Sequence, residues 1–310
     1  MTSEDKQWQY WRSRSRESLG HLVREKLEHP STLTSFAADG RFPADRVFLY
    51  FHSAAGSAAA GAFLAARYTG WSFVGVRMPG LFGETDIPGS IAEEASIHVR
   101  SILEQFPGDR RFIVSGFSTG GILAYEAAVQ LAKSGHVPEK CILIDAPHPG
   151  ELLELYGTST VDDLFRSRLI RLLKRSRAPA GVITEVQDME VSGAVEQLVT
   201  EGVVLGLLGS GAVADAATRH QVALQSLVYV KAMHASAHYQ VPGDAGVSTC
   251  FVQAVLPPES AARWARSLPG LEITPITCHE TDEMSVAMMH NDYSLFQHQE
   301  FLSVLTGLLT

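Results

Sequence analysis

One serine in the chain has neighbours that suit nucleophilic catalysis. Residues 116–121 read Gly-Phe-Ser-Thr-Gly-Gly, after an apolar strand pattern and before a helical pattern. A serine hydroxyl is a poor nucleophile until it is exposed, directed at a base and placed near oxyanion donors, and a tight strand-to-helix turn provides all three. Glycines suit such a turn because side chains would collide with the adjoining strand or helix. We therefore predict that Ser118 is a catalytic nucleophile.

The oxyanion formed by attack of Ser118 needs two backbone N–H donors. The first is predicted to be Thr119, because its N–H lies at the start of the following helix, where partial positive charge favours an anion. The second is expected in the small-residue loop 52–57, His-Ser-Ala-Ala-Gly-Ser, which follows the first core strand. We assign it to Ala54, with Ser53 as the alternative.

A carboxylate is required to hold the catalytic histidine in the correct tautomer and to stabilise its protonated form. Asp145 directly follows the apolar run 141–144. This predicts that Asp145 lies at the carboxyl edge of the sheet, where the sites of α/β proteins form. Asp244 and Glu259, in or near later loops, are weaker candidates for the same role.

The base is expected between the last strand and the last helix, where the sequence offers His279 and His290. Asp292 is a good helix N-cap, which places His290 at the helix entrance. We favour His290 because a position at the helix start usually fixes this imidazole above the serine. His279 is the alternate base.

Short apolar runs alternate with helical patterns over most of the chain. Runs this uniformly apolar are typical of parallel strands that are buried on both faces. The sequence therefore predicts an α/β protein of the α/β-hydrolase fold, with a mostly parallel central sheet flanked by helices. The predicted strands are 47–51, 71–76, 111–115, 141–144, 248–255 and 271–276, and the helices among them include 91–106, 121–134 and 293–309.

Two segments depart from this alternation. Residues 1–45 carry apolar residues at helical intervals among many charges and are predicted to form an N-terminal helical extension, either packed on the domain or used for docking or dimer formation. Residues 46–310 form the predicted hydrolase domain, within which the strand pattern disappears between about 151 and 246. We interpret this stretch as an inserted helical lid, with helices at 152–177, 191–208 and 213–233.

Composition narrows the classes of function. The chain has 25 Lys and Arg against 34 Asp and Glu, a net charge of -9 that disfavours binding to nucleic acid or to an anionic membrane surface. The N-terminus lacks the apolar stretch of a signal peptide and no run reaches membrane-spanning length, so we expect a cytoplasmic location. Cys141, Cys250 and Cys278 are far apart in sequence and suggest neither a disulfide frame nor a metal site. No metal or cofactor is predicted.

Three segments carry a resemblance to a known family, namely 78–81 (MPGL), 116–128 (GFSTGGILAYEAA) and 143–150 (LIDAPHPG). They are similar to the thioesterase domains of polyketide and nonribosomal peptide synthases, closely over residues 46–150 and loosely elsewhere. The resemblance implies that an acyl chain passes from the phosphopantetheine thioester of an acyl or peptidyl carrier protein to Ser118. Water, or an internal hydroxyl or amine, then releases it. The resemblance also supports Asp145, because in the polyketide members the acid follows this strand.

One departure from the family pattern affects the base. The family usually has Gly-Asp-His followed by an aromatic residue and Ser or Thr, and alignment on Tyr293 and Ser294 places that histidine at Asp292. Either the loop is longer and His290 or His279 reaches the site, or the chain has lost the usual base and acts as a lyase, cyclase or acyltransferase. A carboxylesterase acting on free esters and a non-catalytic binding protein of the same fold are two rival hypotheses.

Overall fold

A seven-stranded, mainly parallel sheet organises the chain. The computed structural model describes residues 31–36, 45–68, 70–175, 180–188, 216–243, 245–276 and 295–309. The strands are β1 (Leu33–Ser35), β2 (Arg46–Phe51), β3 (Ser72–Val76), β4 (Arg111–Phe117), β5 (Lys140–Ile144), β6 (Thr249–Gln253) and β7 (Glu272–Pro275). They lie in the order β1-β3-β2-β4-β5-β6-β7, and β1 runs antiparallel to β3 while the other neighbouring pairs are parallel. The predicted mostly parallel α/β sheet is thereby confirmed.

Nine helices accompany the sheet in the part of the chain that the structure describes. They are α1 (Gly61–Ala65), α2 (Ile91–Gln105), α3 (Thr119–Lys133), α4 (Pro149–Tyr156), α5 (Val161–Arg175), α6 (Ala180–Asp188), α7 (Ala216–Ala237), α8 (Pro258–Ser267) and α9 (Gln299–Leu309). None of these described helices combines the length and the apolar character that crossing a bilayer requires.

The central strands are covered on both faces. Every residue of β3 is buried, as is every residue of β2 and β5 except the first. This explains the continuous apolar runs, since a strand with two covered faces has no solvent side for polar residues. Phe301 and Leu305 of α9 join Phe48 and Tyr50 of β2 in one apolar core. That core leaves the carboxyl ends of the parallel strands as the place where polar side chains collect.

The sheet begins earlier in the chain than the predicted domain boundary at residue 46. Residues 33–35, which the sequence analysis assigned to an N-terminal extension, form the edge strand β1 and pair with residues 74–76 of β3. Three residues are too few to show a clear alternating pattern in sequence. Residues 1–30 lie outside the described residues.

The single helix predicted at 152–177 is wrong, because the structure contains two helices there. α4 ends at Tyr156 and α5 begins at Val161. Between them, the Thr160 hydroxyl accepts the N–H of Asp163 at 3.1 Å, while the Asp163 carboxylate accepts the N–H of Thr160 at 3.0 Å. This reciprocal capping starts a new helix.

The described residues form two compact units. The first contains the sheet and comprises the described residues within Ser31–Met78, Pro88–Leu155 and Ala235–Thr310, while the second comprises those within Pro79–Ile87 and Tyr156–His234. In the second unit Phe165 and Leu169 are fully buried, and the Arg168 guanidinium lies 3.8 Å from the centre of the Tyr229 ring. Within the predicted insertion, most of the described residues belong to α4, α5, α6 and α7, and the helix predicted at 191–208 lies outside the described residues.

Candidate active site

Ser118 occupies a strained turn between β4 and α3. Its backbone has φ 55° and ψ −129°, a conformation that residues other than glycine rarely adopt. A Cβ atom on Gly116 would collide with the carbonyl oxygen of Gly120, and a Cβ atom on Gly120 would collide with the carbonyl oxygen of His52. Backbone contacts therefore require glycine at both positions. A strained serine between two such glycines has the geometry of a nucleophile elbow.

Backbone pairing brings Ser118 next to Asp145. Phe117 and Ile144 are in register in neighbouring strands, and the N–H of Ser118 donates to the carbonyl oxygen of Ile144 at 2.9 Å. Ser118 is the first residue after β4 and Asp145 the first after β5, so both leave the sheet at the same edge. Ser118 is partly exposed, whereas Asp145 is fully buried. This is the arrangement that a reachable nucleophile and an enclosed acid require.

The Asp145 carboxylate is anchored by the backbone that follows β6. Its Oδ1 atom accepts the N–H groups of Ala254, Val255 and Leu256 at 3.1, 3.0 and 2.9 Å. The N–H of Asp145 itself donates to the carbonyl oxygen of Val252 at 2.8 Å, with φ at 44°. Three donors on one carboxylate oxygen favour the ionised form, which is the form that can orient a histidine.

The two predicted oxyanion donors are the backbone N–H groups of Thr119 and Ala54. Thr119 and Ala54 are both buried, and neither N–H donates to any residue that the structure describes. Buried N–H groups without a protein partner are uncommon, and an oxyanion hole needs them. β2 and β4 are neighbours, with Phe51 opposite Gly116, and a Cβ atom on Gly120 would lie 2.7 Å from the Phe51 carbonyl oxygen. The start of α3 and the loop after β2 therefore approach each other closely.

Both predicted bases, His279 and His290, lie outside the described residues, in the connection between β7 and α9. Asp244, a weaker candidate for the acid, lies outside them as well. Glu259, expected in or near a later loop, lies in the first turn of α8, where it is exposed. This helix begins at Pro258, and proline is favoured at the first helical position because its missing N–H has no partner to lose.

The loop after β5 also contains His148, which is already engaged. Its Nδ1 atom accepts the N–H of Gly150 at 3.0 Å, and its Nε2 atom lies 2.9 Å from the Ser267 hydroxyl. Burial lowers the pKa of His148. The indole N–H of Trp264 donates to the carbonyl oxygen of Ala146 at 3.0 Å, which ties α8 to the same loop. His148 therefore has a structural role in fixing this loop.

The Ala-Tyr-Glu triplet that follows the elbow holds the chain after α7 against α3. The Tyr125 hydroxyl donates to the carbonyl oxygens of Pro242 and Gly243 at 3.1 and 3.0 Å. The Tyr239 hydroxyl donates to the Glu126 carboxylate at 2.7 Å. The Ala-Tyr-Glu triplet, one of the features that resemble the family, therefore has a structural role here through its hydrogen bonds.

A buried polar cluster that was not predicted from the sequence adjoins the oxyanion loop, residues 52–57. His52 Nε2 lies 2.6 Å from Glu94 Oε1, and His52 Nδ1 lies 2.7 Å from the carbonyl oxygen of Ser53. His98 Nδ1 lies 3.1 Å from the Thr32 hydroxyl, and its Nε2 lies 3.6 Å from Glu94 Oε1. The i,i+4 spacing of Glu94 and His98 on α2 predicts a shared face, but not what that face meets.

The same cluster is where the described residues could hold a metal ion. One ligand atom each from His52, Glu94 and His98 lies within 4.8 Å of the others. All three side chains are nearly or fully buried.

A family model for the thioesterase domain matches residues 46–204, about half of the chain. The chain therefore belongs to the thioesterase domain family.

Curated relatives are long synthases. The chain is 35% identical over 75 residues to an erythronolide synthase of Saccharopolyspora erythraea, which covers 24% of the chain and 2% of that protein. It is 35% identical over 113 residues to a non-reducing polyketide synthase of Pseudevernia furfuracea, which covers 36% of the chain and 5% of that protein. The aligned part is thus a small fraction of each relative.

Several solved structures share the fold. The Vlm2 thioesterase domain bound with a dodecadepsipeptide is 16% identical, with 87% of this chain and 96% of that chain covered and a TM-score of 0.57. The RedJ thioesterase of the prodiginine pathway in Streptomyces coelicolor is 16% identical, with 81% and 87% covered and a TM-score of 0.51. A four-domain nonribosomal peptide synthetase is also 16% identical, with 94% and 21% covered and a TM-score of 0.65. The expected α/β-hydrolase fold and the family resemblance are confirmed.

Proposed function

We propose that this chain is a serine thioesterase that releases an acyl chain from the phosphopantetheine thioester of a carrier protein in polyketide or nonribosomal peptide biosynthesis. Membership of the thioesterase domain family supports thioester release. The observation that carries the serine mechanism is the strained turn at Ser118, between Gly116 and Gly120, whose missing side chains leave room for the close backbone contacts there.

In the proposed acylation step, the Ser118 Oγ atom bonds to the thioester carbonyl carbon while its proton passes to His290, or to His279 as the alternate base. The carbonyl electron pair moves onto oxygen, where the N–H groups of Thr119 and Ala54 stabilise the charge. Collapse restores the carbonyl and breaks the carbon–sulfur bond, and the leaving thiolate takes the proton from the imidazolium. Water, a hydroxyl or an amine then attacks the ester by the same steps in reverse.

Asp145 is proposed to orient the base and to stabilise the imidazolium, without taking a proton itself. Its support is the set of three backbone N–H groups on Oδ1, which keep the carboxylate ionised and stationary. Each oxyanion donor is expected to contribute about 100- to 1000-fold to kcat.

The nucleophile is tested by intact-protein mass spectrometry after incubation with an acyl thioester of N-acetylcysteamine. The parent should gain one acyl mass, and Ser118→Ala should gain none. Ser115→Ala is the matched control, because Ser115 is a buried serine of β4, the strand that leads to Ser118, and its hydroxyl has no hydrogen-bond partner among the described residues. An acyl adduct that persists in Ser118→Ala would overturn the assignment.

The base is tested with His290→Ala and His279→Ala in the same assay. Loss of the adduct, or its accumulation, in one variant but not in the other identifies the base. Unchanged acylation and release in both variants would contradict this part of the proposal, and would favour the lyase, cyclase or acyltransferase chemistry that the missing Gly-Asp-His pattern suggested.

Substrate class is tested by comparing an acyl pantetheine thioester with a nitrophenyl ester of the same acyl chain. A thioesterase should show the higher kcat/KM for the thioester, and a preference for the ester would favour a carboxylesterase. Attachment of the acyl chain to a carrier protein should raise kcat/KM further, because binding energy from the carrier adds to that of the acyl chain.

The predicted lid, residues 151–246, is proposed to shape the acyl channel and to decide between hydrolysis and cyclisation. Exchange of this segment for that of a cyclising relative should change the ratio of the two products. A homodimer and a cytoplasmic location stay predictions.

A further inference from the structure

A buried network of side chains adjoins the predicted second oxyanion donor. His52, at the end of β2, is 2% exposed, and Glu94 and His98 of α2 are 2% and 0% exposed. The network reaches the backbone at Ser53, whose carbonyl oxygen lies 2.7 Å from His52 Nδ1. No step of the proposed mechanism uses these side chains, so their cost of burial calls for another role.

Both ring nitrogens of His52 face hydrogen-bond acceptors. A backbone carbonyl oxygen can only accept, so Nδ1 must carry a proton to bond to Ser53. Nε2 lies 2.6 Å from a carboxylate oxygen of Glu94. Contacts at both ring nitrogens therefore fix the orientation of the His52 ring.

The contact with His52 favours the charged form of Glu94. Burial alone would raise the pKa of Glu94, but the charge and hydrogen bond of His52, with help from His98, outweigh it and lower the pKa to about 2. Burial lowers the pKa of His98, although its contact with Glu94 acts in the opposite direction. The Glu94 carboxylate therefore offers His52 a buried acceptor.

The hydrogen bond from His52 fixes a peptide group, and not merely a carbonyl. The Ser53 carbonyl and the Ala54 N–H belong to the same planar trans peptide, so they point in opposite directions. The Ser53 carbonyl accepts from His52 Nδ1 and also from the N–H of Gly56 at 2.9 Å. The Ala54 N–H is thereby directed away from His52, and it donates to none of the residues that the structure describes.

We propose that the His52–Glu94 pair is a positioning device for the oxyanion hole, in which the His52 ring, held by Glu94 at Nε2, donates from Nδ1 and locks the Ser53–Ala54 peptide so that the Ala54 N–H faces the developing oxyanion. This inference rests on the proposed function. His52 is a positioning residue, because it acts through the peptide and does not touch the substrate. Locking the donor before reaction removes the reorganisation that would otherwise add to the barrier.

Replacement of His52 by Asn or by Gln tests the proposal, because each amide side chain places a nitrogen near one of the two ring nitrogens. In His52→Asn the amide nitrogen stands near the place of Nδ1 and can still donate to the Ser53 carbonyl. In His52→Gln it stands near the place of Nε2 and can reach Glu94 but not Ser53. Glu104→Gln is the control, since Glu104 is an exposed carboxylate on α2, the helix that also carries Glu94.

The expected result is a fall of about 100-fold in kcat for His52→Gln, with KM changed less than about threefold, because a poorly held donor weakens the transition state more than the ground state. His52→Asn should recover at least about tenfold of that loss. Equal losses of kcat in the two variants, or a loss that appears in KM alone, would overturn the proposal. Glu104→Gln should match the parent.

A second measurement does not depend on the stability of the variants. In the 15N-histidine NMR spectrum of the parent at neutral pH, the signals of His52 are identified by their absence in His52→Asn. They should show a proton on Nδ1. An unprotonated Nδ1 would overturn the proposal. The proposal would also be overturned if the purified parent held about one equivalent of tightly bound zinc and His98→Asn held none, because a metal centre would then explain the cluster. If the parent forms no acyl adduct, the proposed function fails, while the NMR result still decides the hydrogen bond.

Discussion

The elbow and the oxyanion loop lie on neighbouring strand ends, but they are held in place by different means. At the elbow, the contacts are between backbone atoms: the N–H of Ser118 donates to the carbonyl oxygen of Ile144, and Gly116 and Gly120 lie against the backbone of Gly120 and His52. At the oxyanion loop, the contact that fixes the Ser53 peptide includes a side chain, His52, whose own partner Glu94 comes from α2.

This difference determines which substitutions each region can tolerate. Backbone contacts depend on the absence of side chains and on the fold of the sheet, so they fail when a single methyl group is added. A side-chain network depends on the protonation and identity of distant residues, so it responds to pH and to conservative replacements. We therefore expect abrupt losses at the elbow and graded, titratable losses at the oxyanion loop.

The largest effect is expected for Gly116→Ala. The added Cβ atom would collide with the backbone of Gly120, which cannot move without displacing the start of α3. The free energy of unfolding should fall by more than about 3 kcal/mol, and acylation of Ser118 should be lost. Urea denaturation and the acyl-adduct assay measure the two effects.

Gly181→Ala is the matched control for this substitution. A Cβ atom on Gly181 of α6 would meet no atom within 4 Å, and alanine favours a helix over glycine, so stability should be unchanged or slightly higher. If Gly116→Ala behaves like Gly181→Ala, the elbow is not held by backbone contact.

The next largest effect separates the charge of Asp145 from its hydrogen bonds. In Asp145→Asn the amide oxygen can still accept from the N–H groups of 254–256, so the fold should persist, while kcat should fall by about 1000- to 10,000-fold because the base loses its carboxylate. Melting temperature and kcat measure the two properties.

Asp145→Ala completes that comparison. It leaves the same three N–H groups without their acceptor and should cost about 1–3 kcal/mol of stability in addition to the loss of activity. Equal stability of the Asn and Ala variants would show that the hydrogen bonds are not what holds this loop.

The elbow and the oxyanion loop also differ in how much of each could be predicted from the sequence. Gly116, Ser118 and Gly120 lie within five residues and between a recognisable strand and helix, so the elbow could be predicted from local pattern alone. Asp145 could be placed by its position after a strand. Its three donors could not, because they lie more than 100 residues further along the chain.

The oxyanion loop shows why the rest was not predictable. Small residues after β2 marked the loop, but the partner of His52 is 42 residues away in sequence and is brought near only by packing of α2.

By contrast, the break between α4 and α5 could have been predicted from the sequence, since Thr160 and Asp163 have the spacing of a capping box. The break was missed because the leucines and arginines on either side of it have helical spacing.

A titratable loss is expected from Glu94. Its pKa in the folded chain, about 2, lies below the ordinary value of 4.5, so its stabilising contribution is complete above about pH 4.5 and is lost as the pH falls towards 2. Over that range the parent should lose up to about 3 kcal/mol more stability than Glu94→Gln, which has no carboxylate at this position to protonate.

Urea denaturation at pH 5, 4, 3 and 2 measures this difference, with Glu104→Gln as the control that should follow the parent. If the stabilities of the parent and Glu94→Gln fall in parallel across this range, Glu94 is not the charged partner of His52 and the contrast between the two regions disappears.

The smallest effect is expected at the start of α2, the helix that carries Glu94. The Ser90 hydroxyl accepts the N–H of Glu93 at 3.2 Å, and the Ser90 carbonyl accepts the N–H of Glu94 at 3.0 Å. Ser90→Ala should lower stability by about 1 kcal/mol, and Ser90→Asp should restore it, because aspartate is an equally good cap. Since Glu94 lies in this first turn, the alanine variant should also lower kcat a few-fold at unchanged KM. Ser134→Ala, at the end of α3, should change neither quantity by a comparable amount, and a fall in kcat there equal to that of Ser90→Ala would mean that the effect is not transmitted through Glu94.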